Sequence, residues 1–129
     1  MKSKVIKILM TIACVSAFIY IMISPTKEEY ARMHAAKQDI KRLDEEIREY
    51  KRTTGHFVET KGWFASLKNM GVAKNSFLNR VFVRDGVPVD PWGNPYLYKC
   101  PGQKKEFDLI SYGADGKIGG YGEDSDISN

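Results

Sequence analysis

The run from Val5 to Ile23 constrains the fold of this chain more than any other feature. It is apolar except for one lysine, one threonine and one serine, and no charged residue occurs from Ile8 onward within it. A helix of about 20 such residues is long enough to cross the hydrocarbon core of a bilayer. Three lysines precede the uncharged part of the run: Lys2, Lys4 and Lys7. By the positive-inside rule they place the N-terminus in the cytoplasm. We therefore predict that residues 1–24 form a single-pass transmembrane anchor and that residues 25–129 form one extracytoplasmic domain.

Two other interpretations of this run stay open. A cleaved signal peptide needs a short apolar region and a small-residue cleavage site, whereas this run continues close to the charged residues at 27–29, and Ser24-Pro25 is a poor site. A lipoprotein would be modified at Cys14, but mostly apolar residues follow that cysteine. The second cysteine, Cys100, lies far outside the span, so an intramolecular disulfide is excluded.

A second helix is predicted over residues 26–53. Thr26 and Glu29 are spaced as a capping box, and no proline or glycine follows until Gly55. Apolar residues recur at steps of three and four, which is typical of one helix face: Tyr30, Met33, Ala36, Ile40, Leu43, Ile47 and Tyr50. This stripe favours packing on a sheet of the same chain, and a coiled-coil seam is the alternative. Charges of both signs cover the other faces, which is typical of a solvated helix and argues against a nucleic-acid partner.

Residues 54–89 are predicted to form a variable region without a long element. Gly62 to Gly71 is typical of a short helix that ends at a glycine. Phe77 to Val83 is rich in aromatic and β-branched residues, which predicts a strand or an irregular packing segment. Asp85-Gly86 then indicates a turn.

Residues 90–129 are predicted to form a small antiparallel sheet and a final loop. Residues 90–95 are dense in turn formers, and the segments 96–98 and 107–112 are typical of two strands. One long helix followed by a small antiparallel sheet predicts an α+β domain with the helix packed on the sheet.

The last fifteen residues have little apolar surface to bury, so a core does not order them. They carry four glycines, one lysine and four carboxylates: Asp115, Glu123, Asp124 and Asp126. A calcium ion (Ca2+) would order such a segment, because it accepts carboxylate and carbonyl oxygens in flexible geometry. A disordered acidic tail is the alternative that composition alone leaves open.

Three motifs in order resemble the C-terminal half of the major pseudopilin of type II secretion, a type IV pilin-like family. They are Asp-Pro-Trp-Gly-Asn-Pro-Tyr at 90–96, Ser-Tyr-Gly-Ala-Asp-Gly at 111–116, and the acidic segment 123–127. A weaker likeness extends upstream to about residue 45. The resemblance implies a pilin-like fold with a C-terminal calcium loop. It also implies the ligands: the Asp115 carboxylate, the Tyr112 carbonyl, and Asp124 and Asp126.

The same resemblance implies a non-catalytic structural subunit in the bacterial inner membrane, with its domain in the periplasm. Its partners would be other pseudopilin or secretion-apparatus subunits, including further copies of this chain. The N-terminal part departs from the family, because it lacks the prepilin cleavage motif and has no glutamate before Glu28. We therefore expect the chain to keep its first residues. The alternative function is a membrane-anchored accessory or binding protein that uses a pseudopilin head without polymerising. His34 and His56 lie far apart and no catalytic arrangement is legible, so we predict that the chain is not an enzyme.

Overall fold

Two consecutive helices form the N-terminal half of the protein. The structure is a computed structural model that describes residues 2–70 and 77–129. Helix α1 spans Lys2–Ile23 and helix α2 spans Lys27–Thr54. Within α1, Ser3–Met22 is long and apolar enough to cross a membrane by length and composition, and none of its most apolar window is buried inside the protein. This exposure agrees with an anchor that lipid would cover.

The predicted capping box at the start of α2 is confirmed. The Glu29 backbone N–H donates to Thr26 Oγ1 at 3.2 Å, and the Thr26 N–H donates to Glu29 Oε2 at 2.5 Å. The helix ends at Gly55, which has a φ of 86° and donates its N–H to the Lys51 carbonyl. A left-handed residue of this kind favours glycine. The helix predicted over residues 26–53 therefore has the expected bounds to within one residue.

The described residues between 54 and 89 hold only short elements. Helix α3 spans Trp63–Asn69, a 3-10 turn spans Phe77–Asn79, and strands β1 (Val83–Arg84) and β2 (Val87–Pro88) form a two-stranded hairpin. The predicted end of the short helix at Gly71 lies outside the described residues. Of the two alternatives for residues 77–83, the irregular packing segment is confirmed for most of its length, since only Val83 lies in a strand. A short apolar run does not by itself distinguish the two.

A three-stranded antiparallel sheet packs on α2. Strands β3 (Leu97–Lys99), β4 (Asp108–Ser111) and β5 (Ile127–Ser128) lie in that order, with Tyr98 opposite Leu109 and Ser111 opposite Ile127. The predicted α+β architecture, with a long helix packed on a small antiparallel sheet, is confirmed. The third strand was not expected, because two residues after an acidic loop carry too little pattern.

The core lies between α2 and this sheet. It is formed by buried side chains from both elements and from α3, among them Ala36, Ile40, Leu43, Ile47, Trp63, Phe64, Tyr96, Tyr98, Phe107 and Leu109. Ala36, Ile40, Leu43 and Ile47 are four of the seven residues of the predicted apolar stripe on α2. Tyr30, at the start of that stripe, is 66% exposed. The core therefore begins about two turns above the start of α2 and leaves its first turns outside.

Candidate metal centre

The turn at residues 90–95 is built around a buried carboxylate. Asp90 is only 4% exposed. Its Oδ1 accepts from the backbone N–H groups of Trp92 (3.1 Å) and Asn94 (2.8 Å). Its Oδ2 accepts from Ser111 Oγ at 2.6 Å. Because buried polar groups are costly when unpaired, these bonds lock the turn to the end of β4.

The same turn holds the beginning of the final loop through Asn94. Its Nδ2 donates to the carbonyls of Gly113 (2.7 Å) and Ala114 (3.3 Å). Ser111 Oγ adds a bond from the Gly113 N–H at 3.2 Å. The sequence predicted a turn at residues 90–95, and in the structure its Trp92 and Asn94 side chains also fasten the loop.

Glu123 fastens the returning half of the loop. Its Oε1 accepts from Trp92 Nε1 at 3.0 Å and from an Arg32 guanidinium N–H at 3.5 Å. Its backbone carbonyl accepts from the Ala114 N–H at 2.8 Å. Gly113 lies so close that an added Cβ would be 2.4 Å from that carbonyl oxygen. These contacts leave no signal in the sequence, because they join residues far apart in the chain.

The four predicted ligand residues lie along this fastened loop. Tyr112 follows β4 directly and is half-buried. Asp115 Oδ1 accepts from the Lys117 N–H at 3.0 Å, and Asp126 Oδ1 accepts from the Gly119 N–H at 3.0 Å. Asp124 packs on Gly120, where an added Cβ would be 2.4 Å from the Asp124 carbonyl oxygen. Segment 117–120 therefore borders all three aspartates.

The structure does not gather these side chains into a finished metal cluster. Within residues 2–70 and 77–129, no group of three His, Cys, Asp or Glu side chains is close enough to hold an ion. The donor set nevertheless fits calcium in kind, since carboxylate and carbonyl oxygens are the ligands of this cation. The close approach at Gly120, where φ is 95°, leaves no room for a side chain between the two sides of the loop.

The two histidines are not brought together. His34 Nδ1 is 3.3 Å from Gln38 Nε2 on the exposed side of α2, and His56 Nδ1 is 3.1 Å from the Phe57 carbonyl beyond the other end of the helix. Each ring therefore bonds within its own segment.

Comparison with known proteins identifies the family. The family model described as type II secretion system (T2SS), protein G, matches residues 24–129. The chain belongs to this family. The match begins at the joint between the two helices and covers α2 and everything after it, so α1 lies wholly outside it.

Curated relatives agree with this assignment. The type II secretion system core protein G of Pseudomonas aeruginosa is 39% identical over 106 residues, which cover 81% of this chain and 75% of that protein. The protein of the same name from Escherichia coli K12 is 31% identical over 106 residues, covering 79% and 70%.

A solved structure confirms the fold. The crystal structure of the major pseudopilin from the type 2 secretion system of enterohaemorrhagic Escherichia coli matches with a TM-score of 0.53 and 24% identity, covering 83% of this chain and 92% of that chain. This protein therefore has the fold of that pseudopilin and belongs to the protein G family of the type II secretion system. The curated relatives are named as core proteins of the type II secretion system and not as enzymes.

Proposed function

We propose that this pseudopilin is anchored by α1 with its N-terminus in the cytoplasm and that calcium stabilises its C-terminal loop in the periplasm. The observation that carries the calcium proposal is the fastening of the loop at both ends. Asn94 holds its beginning and Glu123 holds its return, so the acidic segment between them is confined although it buries little.

Confinement makes the charge of the loop an energetic problem that a cation would solve. From residue 113 to residue 126 it carries four carboxylates and one lysine. Holding like charges close together is unfavourable. Calcium would take oxygens from Asp115, Asp124 and Asp126 and from the Tyr112 carbonyl, and it would neutralise the excess charge. Its role would be structural, since it would tie β4 to β5 through the loop.

The test is thermal unfolding of the head, residues 24–129, with calcium and with chelator. At a calcium concentration of about 100 times Kd, selective binding stabilises the folded state by about 2.7 kcal/mol, a rise in Tm on the order of 10 °C. Asp115→Asn should abolish the rise. Asp85→Asn is the matched control, because Asp85 is an exposed carboxylate on the β1–β2 turn and should leave the rise intact. An unchanged melting curve in chelator would show that the loop is only an acidic segment.

The subunit would assemble with other pseudopilins, including further copies of this chain. One observation favours the alternative of an accessory protein that does not polymerise: α1 carries no acidic residue, whereas the family resemblance implies a glutamate there that registers subunits. Mass spectrometry of the mature N-terminus, combined with chemical cross-linking in membranes, separates the two. Cross-linked multimers would support the filament subunit. An intact Met1 without multimers would support the accessory protein.

A further inference from the structure

Two apolar side chains of the C-terminal loop project into solvent. Tyr121 is 95% exposed and Ile118 is 81% exposed. The rest of this loop consists mainly of glycines and acidic residues, so neither side chain extends an apolar face of the head. Leaving such groups in water forgoes the free energy that burial would give.

Tyr121 lies beside the end of the membrane helix. Residues 121–124 line a cleft of about 630 Å³ together with Ile21 and Met22 at the end of α1 and with the joint at residues 24–26. Glu29 and Met33 of α2 complete the wall. The loop and the exit of the anchor therefore share one cavity.

The length of α1 fixes the height of this cleft relative to the bilayer. Ser3–Met22 comprises 20 residues, which at about 1.5 Å per residue span about 30 Å, the thickness of the hydrocarbon core. Met22 thus lies at the boundary of the core. The headgroup layer beyond it is about 5–8 Å thick, and the joint at residues 24–26 follows Met22 by about 3–6 Å at helical rise. The wall of the cleft that Ile21, Met22 and the joint form therefore falls within this layer, and Glu29 and Met33 lie beyond it.

We propose that Tyr121, assisted by Ile118, docks the head onto the headgroup layer of the bilayer that α1 spans. A tyrosine suits this layer because its ring is apolar and its hydroxyl is polar, which is why tyrosine is enriched at membrane–water interfaces. The docking surface continues the lipid-covered surface of α1. The inference goes beyond the proposed subunit role and relies only on α1 spanning the membrane.

The carboxylates near Tyr121 define which lipids fit. Glu123 is paired with Arg32, but Asp124 also lines the cleft and, when no cation is bound, would repel an anionic surface. The partner is therefore an interface of zwitterionic headgroups, and anionic lipid should weaken the docking at low salt.

The experiment measures tryptophan quenching by brominated phosphatidylcholine, with the full chain reconstituted in vesicles. Tyr121→Trp is the probe, and Met22→Trp reports the end of the span. Phe82→Trp is the matched control, because Phe82 is also highly accessible, at 83% exposed, but lies far from the bilayer. It belongs to the segment that follows Phe77, whose ring lies under Arg42. Arg42 is about 25 Å along α2 from Pro25. The wild type, with Trp63 buried and Trp92 half-buried, provides the baseline to subtract.

We expect quenching of Tyr121→Trp to exceed that of Phe82→Trp by about twofold or more and to persist on dilution of the protein in lipid. Equal quenching of the two variants would contradict the docking. In that case, strong quenching of Met22→Trp would still support the transmembrane anchor, whereas weak quenching of Met22→Trp would contradict both the anchor and the docking. Quenching of Tyr121→Trp that disappears on dilution would assign the surface to a second copy of the chain and would also overturn the proposal.

Discussion

The interface between α2 and the sheet and the loop at residues 112–126 are ordered by opposite means. At the interface, Leu43, Ile47, Phe107 and Leu109 are fully buried, and apolar burial supplies the stabilisation. In the loop, most residues are exposed, and a few hydrogen bonds, accepted by Asp90 and Glu123 and donated by Asn94, hold the chain. The first region should therefore depend on side-chain volume. The second should depend on individual polar atoms and on ions.

The sharpest test of this contrast is a cavity in the interface. Phe107→Ala removes a fully buried ring that contacts Phe57 and Tyr98, and such truncations cost about 3–5 kcal/mol. We expect a large loss in the free energy of unfolding of the head in urea, with or without calcium. Phe82→Ala is the matched control, because its ring is exposed. Equal losses for the two variants would contradict the assignment of the core.

The second largest effect is expected at Asp90. Asp90→Ala leaves the N–H groups of Trp92 and Asn94 and the Ser111 hydroxyl without their acceptor. Stranding buried polar groups should cost about 2–4 kcal/mol in total. Glu59→Ala, at an exposed carboxylate, should cost almost nothing. Hydrogen exchange should locate the Asp90→Ala loss in the loop, and a loss spread evenly over the head would argue against the locking role.

Glu123 should show a smaller effect that is confined to the loop. Glu123→Gln retains an acceptor for Trp92 Nε1 but removes the charge that faces Arg32, while Glu123→Ala removes both. We expect a loss of about 0.5 kcal/mol for the first variant, as for other partly exposed ion pairs, and of about 1–2 kcal/mol for the second. Chemical denaturation measures both. If the two variants behave alike, the Trp92 bond contributes nothing.

The smallest effect is a pH dependence at the edge of the interface. Hydrogen bonds from Lys51 and Arg48 hold the pKa of Glu106 below its usual value of 4.5. A lowered folded-state pKa stabilises the protein above pH 4.5, and this stabilisation is lost as the pH falls through the lowered value. Glu106→Gln should therefore lower Tm slightly at pH 7 and not at pH 3. Because this side chain is exposed, solvent screens the effect.

Asp39 provides the control of opposite sign. Burial raises its pKa above 3.8, against the opposing effects of the Tyr96 hydroxyl and Arg42. Its contribution is present at low pH and is lost as the pH rises through the raised value. Asp39→Asn retains an acceptor for Tyr96. The Tm of this variant, relative to that of the wild type, should therefore increase as the pH rises. If the Tm of Glu106→Gln and that of Asp39→Asn, each relative to the wild type, change in the same direction with pH, then neither carboxyl group sets the pH dependence.

The sequence predicted the elements whose signals are local and repeated. Thr26, Glu29 and Gly55 mark both ends of α2, and four turns of apolar periodicity identify its buried face. The turn at residues 90–95 was legible for the same reason, since its proline, glycine and aspartate act on neighbouring residues.

The features that the sequence did not predict depend on distant partners. Strand β5 pairs through Ile127 and Ser128 alone, and its pairing is decided by β4. In the sequence, Glu123 does not differ from the other loop carboxylates, because its partners Trp92 and Arg32 are distant along the chain. The placement of Asp115, Asp124 and Asp126 around an ion stays a prediction, because loop geometry follows from these tertiary contacts and not from composition.

The joint between α1 and α2 has a mechanical consequence. The last helical hydrogen bond of α1 runs from the Ser24 N–H to the Tyr20 carbonyl. Pro25 has no N–H to continue the series. Thr26, which caps α2, is extended, with a φ of −66° and a ψ of 163°. A force that pulls on the head is therefore carried across residues 24–26 by one covalent strand. Bending at this joint would therefore break no helical hydrogen bond.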